Sequence, residues 1–262
     1  MNLKDGQGHL DYDPKSKYFS SYVGYFKEGH FNGKSTLHFS NNCHYEGNFK
    51  MGVVAGKGKM HRKNRDYFEG NWTNGIYYPH GTYHWCKDNH GSIDYERYMG
   101  YLENYMANGR GKMYYRNGDV CIGYFKKNLK NGECVYNYWN QHKTMKILKG
   151  NFIDDLADGI CYEEKKNGDN YQGGFVQGIY NGNGVKKYCN HKKYKEFNGS
   201  FKDGLFDKLG VLEFANGDRY EGDFVNGLME GAGEYVYSED NSIYNKYIGS
   251  FKNDMFEGKG RL

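Results

Sequence analysis

Proline occurs only twice in 262 residues, which sets aside a proline-rich linker or a collagen-like chain. None of the six cysteines stands in a C-x-x-C pair, so neither a paired zinc module nor a disulfide framework is indicated, and free thiols in a reducing compartment are expected. No apolar run approaches the ~18 residues needed for a membrane span. The N-terminus, MNLKDGQGHLDYD, is polar rather than a leader. Together these features suggest a cytosolic chain or a soluble piece of one. Neither sign of charge dominates: 36 Lys and Arg face 32 Asp and Glu, for a net charge of +4, and no nucleic-acid partner is expected from such a balance.

What is abundant is glycine, 38 residues, together with aromatic side chains, 18% of the chain and 28 of them tyrosine. So much ring surface does not belong to an unstructured polymer. With hydrophobic residues at only 37%, a thin, extended architecture is favoured over a thick aliphatic core.

Self-comparison gives the organisation. YEGDFVNGLMEGAG at 220–233 recurs as YEGNFKMGVVAGKG at 45–58 and YQGGFVQGIYNGNG at 171–184. Aligned on aromatic-x-Gly-x-aromatic, ten units start at Tyr22, Tyr45, Phe68, Tyr98, Cys121, Leu148, Tyr171, Phe197, Tyr220 and Tyr247, after a half-unit at 5–21. Within a unit the period is 2: Tyr220, Gly222 and Phe224 share one face of a strand, as do Gly231, Gly233, Tyr235 and Tyr237 on the next. Each unit therefore reads as a β-hairpin turning at a glycine such as Gly227. The glycines leave gaps across which a neighbouring ring can lie flat. Short links between hairpins carry Asn-Gly at 117–118, 167–168 and 216–217, whereas longer polar insertions follow Trp85, Tyr136, Tyr188 and Tyr237. In a meander these insertions share one edge at every second hairpin.

The pattern Y-x-G-x-F-x-x-G-x-x-x-G-x-G, complete at Tyr220, Gly222, Phe224, Gly227, Gly231 and Gly233, resembles the MORN (membrane occupation and recognition nexus) repeat. Other units depart from it. Pro79 and Lys208 replace the first glycine of G-x-G; Ser35, Cys134 and Cys161 replace the second; Tyr105, Asn128, Asp155 and Asp254 replace the turn glycine. The resemblance implies an all-β fold: an elongated single-layer antiparallel β-meander of about ten hairpins, a twisted or superhelical ribbon in one array over 1–262. It also implies a non-catalytic scaffold at the cytoskeleton or the cytoplasmic face of a membrane, such as a membrane skeleton, a basal or division ring, or a cilium.

Three binding readings follow. A protein-binding groove is expected on the aromatic face, formed by Tyr22, Phe26, Tyr45, Phe49, Trp72, Phe125, Phe152, Tyr171, Phe175, Phe201, Tyr220, Phe224, Tyr247 and Phe251, although most of these rings also suit simple stacking between hairpins. An alternative is a peripheral adaptor for anionic phospholipid through Lys143, Lys146, Lys192, Lys193 and Lys195 in the insertions. Because the chain starts and stops in mid-repeat, an end-to-end homodimer through free strand edges is expected, or else a regulatory segment of a larger enzyme. No catalytic set, metal site or cofactor is indicated. The crowd of His80, His84, Cys86 and His90 is read as polar surface, and GKGKM at 56–60 and GRGKM at 109–113 as sheet glycine rather than phosphate loops.

Overall fold

Alternating large and small residues make strands here, and pairs of residues at positive φ, the second usually glycine, make the corners. The computed structural model describes residues 3–87, 94–240 and 243–261, which form two compact units, 1–129 and 130–262. Unit 1 contains β1 (Gly6–Asp11), β2 (Phe19–Lys27), β3 (His30–Phe39), β4 (His44–Lys50), β5 (Val53–His61), β6 (Tyr67–Thr73), β7 (Ile76–His84), β8 (Tyr95–Glu103), β9 (Met106–Tyr115) and β10 (Val120–Lys126). Unit 2 contains β11 (Leu129–Asn137), β12 (Met145–Ile153), β13 (Leu156–Lys165), β14 (Asn170–Val176), β15 (Ile179–Lys187), β16 (Tyr194–Lys202), β17 (Leu205–Phe214), β18 (Arg219–Val225), β19 (Leu228–Val236), β20 (Lys246–Lys252) and β21 (Met255–Arg261). Within each unit every strand pairs antiparallel with the next in sequence, so the fold is an all-β meander, and no α-helix occurs among the described residues.

The hairpin corners are two-residue turns with both residues at positive φ, the geometry that matches strand twist. Glu28 and Gly29 (50° and 80°), Met51 and Gly52 (50° and 84°), and Asn226 and Gly227 (50° and 86°) are examples. The four units without a turn glycine keep the same geometry, with Tyr105 at 62°, Asn128 and Asp155 at 74°, and Asp254 at 66°. Three of these residues also add a clamp. The Asp155 amide donates to the Lys130 carbonyl (3.0 Å) while the Lys130 amide donates to Asp155 Oδ1 (2.8 Å). Asn128 grips Ala107, and Asp254 grips Met229, in the same reciprocal way. A short polar side chain thus gains a hydrogen bond to the previous hairpin where glycine would only have relieved strain.

A bulge recurs inside each hairpin. In β18/β19 the pair Gly222–Gly233 is followed by Asp223–Glu230, so Gly231 and Ala232 are extra residues on β19. The bulge glycine is at φ 68°, and Lys208 holds the equivalent place at 58° without being glycine.

Candidate functional site

The first ring of each motif lies flat on a pair of glycines. The nearest atoms to a Cβ built on Gly233 would be those of the Tyr220 side chain, at 2.5 to 2.7 Å, and to one on Gly58 those of Tyr45, at 2.3 to 2.6 Å. The hydroxyl then reaches a carbonyl three residues on: Tyr22 to Tyr25 (2.6 Å), Tyr171 to Gly174 and Tyr220 to Asp223 (both 3.0 Å), and Tyr247 to Ser250 (3.2 Å). Ser35, which replaces a glycine, sets its hydroxyl 2.7 Å from that of Tyr22, within hydrogen-bonding distance. Cys134 and Cys161 replace the glycine in the two units whose first ring is itself replaced, by Cys121 and Leu148. Where the ring is lost, the space it needed closes.

What covers four of these flat rings is a third ring nine residues after the first, a position the sequence motif did not single out. Phe31 stacks on Tyr22 at 3.7 Å, Tyr180 on Tyr171 and Phe206 on Phe197 at 3.8 Å, and Phe256 on Tyr247 at 4.0 Å. The second ring of the following unit closes on a first ring edge-on, as Phe49 does on Tyr22 (5.6 Å), Trp72 on Tyr45 (5.1 Å) and Phe251 on Tyr220 (4.7 Å). Consequently Tyr22, Phe26, Tyr45, Phe49, Trp72, Phe125, Phe152, Tyr171, Phe175, Phe201, Tyr220, Phe224, Tyr247 and Phe251 are all 5% exposed or less. In this structure they are the packing layer, and any ligand would meet the residues stacked over them.

In unit 2 those overlying residues frame a groove of about 580 Å³ lined by Lys193, Phe214, Met229, Tyr235, Tyr237, Asp254, Met255 and Phe256. The Lys193 ammonium sits 3.3 Å from Asp254 Oδ2, joining an insertion to a hairpin turn at the lip. Met255 and Phe256 remain 67% and 45% exposed. Burial, reinforced by the Asp218 carboxylate, pushes the Tyr235 hydroxyl well above its ordinary range, so Tyr235 stays neutral. One hairpin earlier a smaller hollow of about 210 Å³ lies against Tyr188, Tyr194 and Phe206, with the Lys186 ammonium over the Tyr188 ring at 5.2 Å. Burial, with Lys165 nearby, lowers the pKa of Lys186.

The links are organised by aspartates. In Asn216-Gly217-Asp218 the Asp218 amide donates to Asn216 Oδ1 (3.1 Å), while Asp218 accepts from the Ser238 amide (2.8 Å) and the Tyr235 hydroxyl (2.7 Å). Asp66 likewise accepts from the Cys86 amide (2.8 Å) and the Tyr83 hydroxyl (2.9 Å), and Asp169 from the Cys189 amide (2.7 Å). Each of these carboxylates pins the root of the long insertion after the next hairpin.

The five insertion lysines fare differently. Lys146 pairs with Glu164 (2.6 Å), Lys193 with Asp254 and Lys195 with Glu213 (2.9 Å), whereas Lys143 and Lys192 are exposed with no carboxylate partner among the described residues. His80 packs edge-on against Tyr101 and His84 stacks on Tyr67. His90 lies outside the described residues.

No curated protein matches the chain. Among solved structures, one match is the "SAS-4 (dCPAP) TCP domain in complex with a Proline Rich Motif of Ana2 (dSTIL)" of Drosophila melanogaster, 12% identical over 72% of this chain and 77% of that one, with a TM-score of 0.18. The MORN repeat model matches eight times, over 22–44, 45–67, 98–120, 121–138, 171–193, 197–219, 220–242 and 247–262. These matches span most of the sequence and begin at first-ring positions such as Tyr22 and Tyr220, where the flat-lying rings have just been described. The chain belongs to the MORN repeat family.

Proposed function

We propose that this MORN protein is a non-catalytic scaffold or adaptor, binding protein partners at a cytoskeletal or membrane-associated structure on the cytoplasmic side. The observation that supports this is the groove of about 580 Å³ over Phe214, Tyr235, Tyr237, Met255 and Phe256. Its rings offer apolar contact area at low entropic cost, and the Lys193–Asp254 pair at its lip offers one polar anchor. An extended or helical segment presenting one or two large apolar side chains suits it. Proximity labelling in cells tests this by comparing the natural chain with a Met255→Ser/Phe256→Ser variant. The variant should lose a discrete subset of labelled proteins, including membrane-skeleton or cytoskeletal ones. An identical set, or one without such proteins, refutes the reading.

A second reading, adsorption to anionic phospholipid, is favoured by Lys143 and Lys192 standing exposed and unpaired. It is weakened because Lys146, Lys193 and Lys195 are already matched by carboxylates. Co-sedimentation with phosphatidylserine vesicles at low and moderate salt, against a Lys143→Glu/Lys192→Glu variant, separates the two readings.

A further inference from the structure

The face of unit 1 opposite the motif rings carries a cross-strand ladder that the repeat pattern does not require. His38 pairs in register with His44, His44 with His61, His61 with Tyr67, and Tyr67 with His84. The rings follow the register: His44 and His61 are parallel within 4° at 4.3 Å, and Tyr67 lies over His84 at 4.2 Å. Glu46, two residues beyond His44 on β4, projects from the same face beside them. Its carboxylate oxygens are 3.3 Å from His44 Nε2 and 3.7 Å from His61 Nε2.

We infer that His44, His61 and Glu46 form a zinc site with two imidazoles, one carboxylate and an open fourth position for water. The three donor atoms lie within 4.8 Å of one another. A zinc ion with ligands at about 2.0 to 2.2 Å sets tetrahedral ligand separations near 3.4 Å, close to the 3.3 Å from His44 Nε2 to Glu46 Oε1 and the 3.7 Å from His61 Nε2 to Glu46 Oε2, so a turn of the carboxylate presents one oxygen to both imidazoles. His61 Nε2 is buried and has no hydrogen-bond partner, which leaves its lone pair without a competing proton donor. Lys59, opposite Glu46 in the register, is drawn away to Glu69 at 3.3 Å and over the Tyr67 ring at 5.3 Å. The carboxylate opens onto a groove of about 390 Å³ with Lys34 and Lys57 on its walls, an entry path for a small hydrated ion but not an acidic trap. Selectivity therefore rests on the two imidazoles, which suit zinc and other borderline metals over calcium or magnesium.

Parallel rings aim their in-plane lone pairs side by side. Metal capture must tilt the two imidazoles out of parallel so that their lone pairs converge on the ion, and that movement is a readable signature of the site.

The test uses the full chain under reducing conditions, with zinc chloride competed against a chromophoric chelator, cobalt(II) absorption, and NMR of the imidazole carbons. The expected result is one zinc equivalent whose binding shifts the His44 and His61 resonances. The cobalt d–d bands should appear without a thiolate charge-transfer band. Affinity should fall roughly tenfold or more in His61→Gln and in Glu46→Gln, and stay unchanged in Cys43→Ser. Glu46 is 51% exposed, so Glu46→Gln leaves the fold intact and decides the matter alone should His61→Gln not fold. Absence of binding, affinity unaffected by Glu46→Gln, or binding lost only with Cys43→Ser overturns the assignment.

Discussion

Gly233→Ala adds one methyl group where the structure leaves no room for it. Gly233 has no positive φ, so the substitution carries no backbone strain, and its cost comes first from the Tyr220 side-chain atoms 2.5 to 2.7 Å from the new Cβ. The ring cannot slide along the sheet, because Phe224 and Phe251 hold it edge-on at 5.1 and 4.7 Å. It must lift instead. Lifting costs about 1–3 kcal/mol of overpacking and breaks the hydroxyl bond to the Asp223 carbonyl, worth about 1 kcal/mol. The total is about 2–4 kcal/mol. Tyr220→Ala alone should cost about 3–5 kcal/mol as a large-to-small core change. Combined with Tyr220→Ala, however, Gly233→Ala meets no ring and should be neutral or stabilising by up to about 1 kcal/mol through the unfolded chain. Because a repeat protein can open locally, the assay is native-state hydrogen exchange over β18 and β19, supported by urea unfolding. An equal cost for Gly233→Ala with and without Tyr220, or no cost in the natural chain, refutes the pairing of flat ring with glycine.

Lys208→Gly should raise the urea midpoint by the equivalent of about 1 kcal/mol or less, since it relieves a side chain held at φ 58°; a lower midpoint contradicts the strain argument. Asp155→Ala should cost about 1–2 kcal/mol in the same assay, losing the Lys130 amide bond while keeping the positive φ. In alkali, burial pushes Tyr45 and Tyr171 up to about 12, so they contribute stability that is complete below the unfolded value near 10 and lost as pH rises towards 12. Tyrosinate absorbance should therefore rise together with loss of sheet circular dichroism in that window; early absorbance with intact sheet argues that the rings are not buried. In acid, burial raises the Asp218 carboxyl, but bonds from Tyr235, Ser238 and Asn216 outweigh it and hold the pKa below the ordinary value. Its contribution is present above about pH 4 and fades as pH falls through the depressed value, so Asp218→Asn should flatten the acid limb of a stability–pH curve.

The hairpins, the ring-over-glycine device and the alternation of short and long links are written in local spacing, because period 2 and a fixed motif need no knowledge of which strands meet. Three features are not. The covering ring at Phe31, Tyr180, Phe206 and Phe256 has a constant offset from the first ring that was available in the sequence, yet its stacking depends on the bulge that turns the second strand over the first. Asn128, Asp155 and Asp254 look like losses of glycine until the previous hairpin's amides are seen beside them. His44 and His61 are seventeen positions apart, and only the register makes them neighbours. The aromatic face was legible from period 2, but the fourteen rings named on it are the buried layer, and the accessible residues over them, such as Tyr235 and Phe256, are told apart only in three dimensions.

The aspartate pins have an evolutionary corollary. Asp66 holds Cys86, Asp169 holds Cys189 and Asp218 holds Ser238, so a carboxylate on the short link before a hairpin is answered by an amide on the long link after it, and the two kinds of link alternate. The unit that can be copied or deleted without leaving a buried carboxylate unanswered is thus a pair of hairpins, about twice the length of the visible motif. A lineage that lengthens or shortens such a protein is expected to do so in even steps, and a loop graft should be cut outside the pinned amide so that the root stays while the tip is exchanged.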